Sequence, residues 1–192
     1  PLVEMITPES DTVQAVVIVP GRELALQSQQ VLAALGAVRG MACYGGRAAM
    51  EEHRALKQLR PQVVFATPGR LNDHLAKGNI SANDVRLLVI DEFDKCLDMG
   101  FENEMRTALA SLSYAQRRVL LSATNSPRIP LFVEHVKLER IDFVDEAEKV
   151  KERIAVYEVK SDSKDKLATL HRLLLAFNGE STIVFLNHRE SV

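Results

Sequence analysis

The sequence predicts an α/β protein built on a parallel sheet flanked by helices. Short apolar runs rich in β-branched residues recur along the 192 residues, and amphipathic helical patterns separate them. Most of the runs also end in a polar or glycine-bearing turn. Alternating strands and helices form doubly wound parallel sheets with right-handed crossovers. Ligands of such sheets bind beyond the carboxyl ends of the strands, so we expect function in these turns.

Six segments are predicted as strands of the sheet. Most of them are apolar on successive residues, which is typical of a strand covered on both faces. They are VQAVVIVP (13–20), RGMACYGG (39–46), QVVFATPGR (62–70), VRLLVIDEFD (85–94), RRVLLSAT (117–124) and LERIDFVD (138–145).

Two of the intervening helices have clear sequence signals. The first covers residues 23–35 and ends at Gly36, which supplies a left-handed C-terminal cap. Its predicted buried face is formed by Leu24, Val31, Leu32 and Leu35. The second begins with the Thr67 hydroxyl as N-cap and Pro68 at the first helical position, and it ends at Gly78.

The chain is predicted to contain one domain and the beginning of another. We expect the first domain to cover residues 1–145 and the mixed charges of residues 146–152 to form a linker. A single βαβ unit cannot bury its own faces, so residues 153–192 are expected to be only the start of a second domain. Its predicted elements are a strand at 153–159, a helix at 163–177 and a strand at 181–187.

Composition limits the partners and the compartment. The chain has 24 Lys and Arg against 26 Asp and Glu, so its net charge of -2 gives no general attraction to nucleic acid. The two cysteines, Cys43 and Cys96, have no zinc-type spacing, which favours a reducing compartment. The longest apolar stretch, residues 15–19, is far shorter than the roughly 20 residues of a membrane span, and no basic leader precedes it. We therefore expect a soluble cytoplasmic protein without a membrane partner.

Three carboxylates follow the apolar run of residues 87–90. Asp91, Glu92 and Asp94 could simply stabilise the N-terminus of the next helix through its dipole. Alternatively, neighbouring residues at a strand end point in different directions, so Asp91 could hold the water shell of Mg²⁺ while Glu92 faces a water that attacks a phosphate. The residues alone leave both interpretations open.

The segment TPGR (67–70) suits a phosphate group. A helix N-terminus offers unpaired backbone N–H groups, Gly69 allows close approach, and Arg70 adds a positive charge. The alternative is an ordinary helix cap followed by a surface arginine.

Two further turns extend this pattern. PGREL (20–24) presents Arg22 and backbone amides, and Gly45 with Gly46 forms another bare backbone surface. The alternatives are a helix start with a solvated Arg22–Glu23 pair, and a plain turn. Three such turns on one edge would form a track for a sugar-phosphate backbone that ignores base sequence.

The motifs together resemble those of the DEAD-box family of RNA helicases. VIDEFD (89–94) is similar to motif II, with Phe93 where the family usually has alanine. In family-like order, PGREL is similar to motif Ia, Gly45 and Gly46 to the paired glycines, TPGR to motif Ib, SAT (122–124) to motif III and IVFLN (183–187) to motif IV. The resemblance covers nearly the whole chain.

This resemblance implies a RecA-like domain, the start of a second RecA-like domain, and an ATP-dependent RNA helicase that uses ATP and Mg²⁺. It implies catalytic roles for Asp91, Glu92, Asp94, Ser122 and Thr124, with Asp91 and Glu92 at the nucleotide and Asp91 holding Mg²⁺ through water. The hydroxyls of SAT would bond Asp94, while Phe93 would pack into the sheet. It implies RNA binding by Pro20, Gly21, Arg22, Glu23, Gly45, Gly46, Thr67, Pro68, Gly69 and Arg70, although Gly21 replaces the usual threonine.

One hallmark of this enzyme class is missing from the 192 residues. They contain no GxxxxGK[ST] loop, which would hold the β- and γ-phosphates. We therefore expect an internal fragment of a longer helicase that hydrolyses no ATP by itself. Loss of the strand that leads into that loop would leave its neighbours with unpaired edges, so we expect strand exchange, a gap or an unresolved segment there. The alternatives are a non-catalytic RNA-binding or protein-binding module, or a superfamily 2 helicase that acts on DNA.

Overall fold

The computed structural model describes residues 1–124, 139–142, 155–161, 164 and 166–186. The chain divides into two compact units, Pro1–Arg140 and Ile141–Val192. The predicted linker, residues 146–152, lies outside the described residues.

The first unit alternates strands with helices, after a 3₁₀ turn at Val3–Met5. Each strand lies inside one of the predicted segments and ends before the polar turn. Within residues 1–124 the elements are β1 (Ala15–Ile18), α1 (Arg22–Leu35), β2 (Gly40–Cys43), α2 (Ala49–Leu59), β3 (Val63–Ala66), α3 (Pro68–Ala76), β4 (Leu87–Ile90), α4 (Phe93–Asp98), α5 (Glu102–Ser111) and β5 (Arg117–Leu120).

The five strands form one parallel sheet in the order β2-β3-β1-β4-β5. This confirms the predicted α/β fold class. Because all described strands run in the same direction, their carboxyl ends and the turns that follow lie along one edge of the sheet. The order places β1 at the centre, between β3 and β4.

The sheet is covered on both faces. Along β1, Val16 and Ile18 join one apolar cluster, while Ala15 and Val17 join the other, as the twofold period of a strand requires. The first cluster contains buried residues of α2, α3, α4 and α5, and the second contains Ala25 and Leu32 of α1. Burial on both faces explains why the strands are apolar on successive residues.

The structure corrects two details of the predicted helices. On α1, Gly36 provides the predicted left-handed cap at φ 67°, but Val31 and Leu35 are 59% and 64% exposed, so the buried face is narrower than the spacing predicted. On α3, Thr67 occupies the N-cap position, but its side chain makes no capping hydrogen bond.

The described strands pair without a gap, so the expectation of an internal gap is wrong. Within residues 1–124, β5 is instead the last strand of the sheet, and its Arg117, Arg118 and Val119 are exposed. An edge strand whose second side has no partner presents free backbone groups.

In the second unit, the described residues contain the helix α6 (Leu167–Ala176), which lies within the helix predicted at 163–177. The strands predicted at 153–159 and 181–187 are not formed over their described parts, residues 155–159 and 181–186. Residues 139–142 of the strand predicted at 138–145 also lack strand structure, and the rest of it lies outside the described residues. Apolar side chains such as Val156 and Phe185 are 89% and 88% exposed, because this short unit offers no sheet to cover them.

None of the helices in the described parts of the chain combines the length and apolar character that crossing a membrane requires.

Candidate functional site

Five turns gather on the carboxyl edge of the sheet. Those after β1, β2 and β3 carry the glycine-rich and basic segments, and those after β4 and β5 carry the carboxylates and hydroxyls. Because β2, β3 and β1 are adjacent, the edge has a glycine-rich half and an acidic half. The sequence-predicted residues therefore share one rim of the first unit.

The glycine-rich half surrounds a groove of about 610 Å³. Glu23, Gly46 and Pro68, which were also predicted to bind RNA, are not among its lining residues. The predicted residues that line it are Pro20, Gly21, Arg22, Gly45, Thr67, Gly69 and Arg70.

The N-terminus of α3 opens into this groove with little side-chain cover. Pro68 has no N–H group, and the Leu71 N–H bonds the Thr67 carbonyl at 3.0 Å. The amides of Gly69 and Arg70 lie before Leu71, whose N–H makes this first i to i−4 hydrogen bond of the helix, so they remain available to an anion. A Cβ built on Gly69 or on Gly45 would meet no atom within 4 Å, so the backbone at both positions faces open space.

Arg22 lies on the groove but is paired with its neighbour. Its Nε donates to Glu23 Oε1 at 2.7 Å, and both side chains are exposed. This is the solvated pair that the sequence left open as an alternative. The hydrogen bond from Arg22 holds the pKa of Glu23 below its ordinary value. Since the pair is exposed, another anion can compete for Arg22 at small cost.

Arg70 does not present the free charge that the sequence predicted. Its side chain is only 12% exposed, and Nη1 lies 3.4 Å from Glu52 Oε2. Its Nη2 donates to the Arg47 carbonyl at 2.8 Å. The guanidinium is thus directed into the protein.

In the acidic half, Asp91 and Glu92 are held by the backbone of the turn after β4. Asp91 Oδ1 accepts the Glu92 N–H at 2.9 Å. Glu92 has φ 47° and ψ 50°, a left-handed conformation that is strained for a residue with a side chain. Glu92 is the N-cap of α4 but makes no side-chain capping hydrogen bond.

The turn after β5 contacts the turn after β4 through the predicted hydroxyl. Thr124 Oγ1 donates to Asp94 Oδ2 at 2.7 Å. Ser122 supports this threonine, because the Thr124 N–H donates to Ser122 Oγ at 3.2 Å and Ser122 Oγ donates to the Thr124 carbonyl at 2.8 Å. The Thr124 hydrogen bond holds the pKa of Asp94 below its ordinary value, so this carboxylate is ionised at neutral pH.

These carboxylates fit a divalent cation such as Mg²⁺. Carboxylate oxygens are the hard donors that Mg²⁺ prefers, usually with several water molecules retained in its shell. Asp91, Glu92 and Asp94 are partly exposed at the edge, which leaves room for such a hydrated ion.

Residues 1–130 match the sequence model of the DEAD/DEAH box helicases. The chain belongs to the DEAD/DEAH box helicase family.

Relatives and solved structures of this family cover the chain broadly. A protein named DEAD-box ATP-dependent RNA helicase CshA from Bacillus subtilis is 35% identical over 96% of the chain, which spans 38% of that protein. The ATP-dependent RNA helicase CshA of Listeria monocytogenes is 36% identical over 96% of the chain, which spans 36% of it. The chain thus spans less than half the length of these relatives.

Among solved structures, a DEAD box protein from the hyperthermophile Methanococcus jannaschii aligns with a TM-score of 0.61 and 26% identity, over 91% of this chain and 47% of its own. Mss116p bound to single-stranded RNA and AMP-PNP aligns with a TM-score of 0.55 and 31% identity, over 62% of this chain and 26% of its own. These neighbours show that the parallel sheet is that of a RecA-like helicase domain.

This DEAD/DEAH box member differs from the usual motif II at Phe93, which is 3% exposed. Phe93 belongs to the apolar cluster that also contains Ile90 and Cys96. The prediction that its ring packs into the sheet and helices is confirmed. The ring of Phe93 therefore forms part of the apolar core beneath the acidic turn.

Three groove residues escaped the sequence-based prediction: Ala49, Asp73 and Phe101. Asp73 follows Gly69 by one helical turn on α3, so spacing could have placed it on the same face. Ala49 begins α2, and Phe101 immediately precedes α5; only the folded chain brings them to the groove.

Proposed function

We propose that the protein acts as an ATP-dependent RNA helicase, in which the acidic half of the edge serves ATP hydrolysis and the groove holds single-stranded RNA. The observation that carries this proposal is the parallel topology, which brings the glycine-rich turns and the carboxylates to one edge. The solved relative bound to single-stranded RNA and AMP-PNP supports it.

In the groove, backbone groups supply most of the phosphate contacts. The amides of Gly69 and Arg70 would bind one phosphate at the N-terminus of α3, and the backbone of the Gly45 turn would approach a second. Arg22 would release Glu23 and pair with a third phosphate. Such contacts read the backbone of the polynucleotide and not its bases, so binding would be independent of base sequence.

In the acidic half, Asp91 would hold Mg²⁺ through water and Glu92 would orient the water that attacks the γ-phosphate. Mg²⁺, when bound with ATP, neutralises the charge that develops on the phosphates. The hydrogen bond from Thr124 to Asp94 would hold the turn after β5 against the start of α4.

The groove is tested by fluorescence anisotropy of a labelled single-stranded RNA with the 192-residue chain. Arg22→Gln should weaken binding and lower the salt slope by about 0.7, the value for one phosphate contact on a single strand. Arg60→Gln is a matched control, because Arg60 is similarly exposed, makes a similar 2.7 Å ion pair with Asp11, and lies outside the groove. Equal loss in both variants would contradict an RNA site in the groove.

A second test adds a methyl group to the bare backbone. Gly69→Ala and Gly45→Ala create no clash within the chain, so the free energy of unfolding should stay within about 0.5 kcal/mol of the wild type or rise. Both methyl groups would project where the phosphates approach, and RNA affinity should fall. Unchanged affinity in both variants would refute close backbone contact at this groove.

Hydrolysis is tested with the product of the complete reading frame. RNA-stimulated phosphate release should disappear in Glu92→Gln, which keeps the shape of the side chain but removes its charge. Stimulation by a DNA oligonucleotide of the same sequence, but not by RNA, would favour the helicase that acts on DNA. Turnover that persists in Glu92→Gln would contradict the role of Glu92.

A further inference from the structure

Beneath the groove lies a buried polar cluster that the proposed function does not use. Glu52 of α2 is 1% exposed and His74 of α3 is 0% exposed. Burying a carboxylate is costly unless hydrogen bonds and a counter-charge compensate it. The partners of Glu52 must therefore compensate for the burial of its carboxylate.

The two oxygens of Glu52 join three segments of the chain. Oε1 accepts the N–H of Tyr44, the residue before Gly45, at 3.0 Å. Oε2 lies 3.0 Å from His74 Nε2 and 3.4 Å from Arg70 Nη1. One side chain thus contacts the turn after β2, the first turn of α3 and the last turn of α3.

The partners of His74 indicate which of its ring nitrogens donates. Asn79 Nδ2 lies 3.0 Å from His74 Nδ1, and an amide nitrogen can only donate. His74 Nδ1 is therefore the acceptor, and the ring carries its proton on Nε2, from which it donates to Glu52. The buried group consists of His74, Glu52 and the guanidinium of Arg70.

Arg70 extends the network to the other side of the glycine pair. Its second nitrogen, Nη2, donates to the carbonyl of Arg47 at 2.8 Å. Glu52 accordingly holds Tyr44 directly, one residue before the glycines, and holds Arg47 through Arg70, one residue after them. Gly46 has φ 91°, so a flexible residue within this turn is fixed from both ends.

The cluster is a carboxylate that is hydrogen-bonded to Tyr44 and His74 and ion-paired with Arg70, and it is not a metal centre. The Cys43 sulfur, a Glu52 oxygen and a His74 nitrogen lie within 4.8 Å of one another, which brings three possible ligands together. However, burial raises the pKa of Cys43 to about 12, whereas the thiolate is the form that binds metals. The guanidinium of Arg70 beside the same carboxylate would also repel a cation.

We propose that Glu52 is a positioning residue for the polynucleotide groove, which it shapes by clamping the Gly45–Gly46 turn to the first turn of α3 through Arg70. This inference rests on the proposed RNA binding for its functional meaning, but the clamp itself is a property of the free protein. Preorganised backbone groups bind a ligand more tightly because less motion is lost on binding.

The first experiment measures ¹⁵N order parameters of the Gly45 and Gly46 amides in the free chain. In the wild type they should be near those of rigid backbone, about 0.85, and in Glu52→Ala they should fall below about 0.6. Glu52→Gln should lie between the two, because its amide oxygen can still accept the Tyr44 N–H, while its nitrogen is a donor in place of Oε2 and loses the ion pair with Arg70. Equal order in all three proteins would overturn the clamp.

The RNA affinity of Glu52→Ala provides a second test, because the clamp and simple charge attraction predict changes in opposite directions. Loss of a negative charge beneath a phosphate site would strengthen binding if only Coulomb attraction mattered. The clamp instead predicts that Glu52→Ala weakens RNA binding about tenfold with an unchanged salt slope, and that Glu52→Gln stays within about threefold of the wild type. Tighter binding by Glu52→Ala would overturn the proposal.

Arg70→Lys provides a test if Glu52→Ala fails to fold. Lysine keeps the positive charge but replaces the two-nitrogen fork with a single ammonium, so it should lose the bridge between Glu52 and Arg47. We expect looser glycine amides and weaker RNA binding with an unchanged salt slope. Wild-type amide order and affinity in Arg70→Lys would overturn the clamp. A wild-type chain that binds no RNA would refute the proposed function, while the order parameters would still decide the clamp.

Discussion

Glu92 allows the backbone strain in the acidic turn to be measured. Its left-handed conformation, φ 47° and ψ 50°, costs a residue with a side chain about 1–2 kcal/mol. Glu92→Gly removes this strain but gives the unfolded chain more freedom, which costs about 0.4–1 kcal/mol. Glu92→Ala keeps the strain. Both variants lose the exposed ion pair with Lys95, so that contribution cancels between them.

We therefore expect the free energy of unfolding of Glu92→Gly to exceed that of Glu92→Ala by about 0.5–1 kcal/mol. Urea denaturation followed by circular dichroism measures the difference, provided that both variants have the same m value. Asn103 in α5 is a matched control position, because glycine there should be less stable than alanine by about 1 kcal/mol. A Glu92→Ala variant as stable as Glu92→Gly would refute the strain.

Three further predictions concern the core, the hydroxyl contact and the isolated chain. Phe93→Ala should lower the free energy of unfolding by about 3–4 kcal/mol in urea denaturation, since the ring is 3% exposed; a loss no larger than that of the partly exposed Phe101→Ala would contradict its packing. Thr124→Val should raise the pKa of Asp94 toward its ordinary value in a carboxyl NMR titration, while Thr124→Ser keeps it low. The pKa of Asp94 is lower in the folded than in the unfolded chain, so the hydrogen bond from Thr124 stabilises the fold above about pH 4 and this contribution is lost in acid. The free energies of unfolding of the wild type and Thr124→Val should therefore converge at low pH. The 192-residue chain should release no phosphate from ATP with or without RNA, because it contains no GxxxxGK[ST] loop, and measurable turnover would contradict this expectation.

The sheet and the gathering of the turns at its carboxyl edge followed from local patterns. Runs that are apolar on successive residues can be covered only on both faces, and parallel strands share their carboxyl edge, so the turns after β1 to β5 had to lie together. The contact between Thr124 and Asp94 follows from the same topology, since β4 and β5 are neighbours.

Other features depend on contacts between distant segments. Val31 and Leu35 have helical spacing, but spacing does not show how far the sheet extends beneath α1. In the second unit, β-branched residues at 155–159 and 181–186 form no strand, because strand preference is expressed only against a partner.

Glu52 shows this dependence most clearly. It lies in the charged segment EEHR (51–54), which by composition belongs on a solvated helix face. Its burial becomes apparent only when α3 brings Arg70 and His74 against α2. The same contact turns Arg70 away from solvent, which the sequence could not show.

The central position of β1 limits how the two halves of the edge can communicate. Its four residues pair in register with β3 on one side and with β4 on the other. Sliding one half of the sheet against the other would break the main-chain hydrogen bonds between Ala15–Ile18 and one of these neighbouring strands. The backbone of the described sheet therefore joins the two halves through continuous main-chain hydrogen bonds, so we expect changes at the edge to occur in the turns and their side chains.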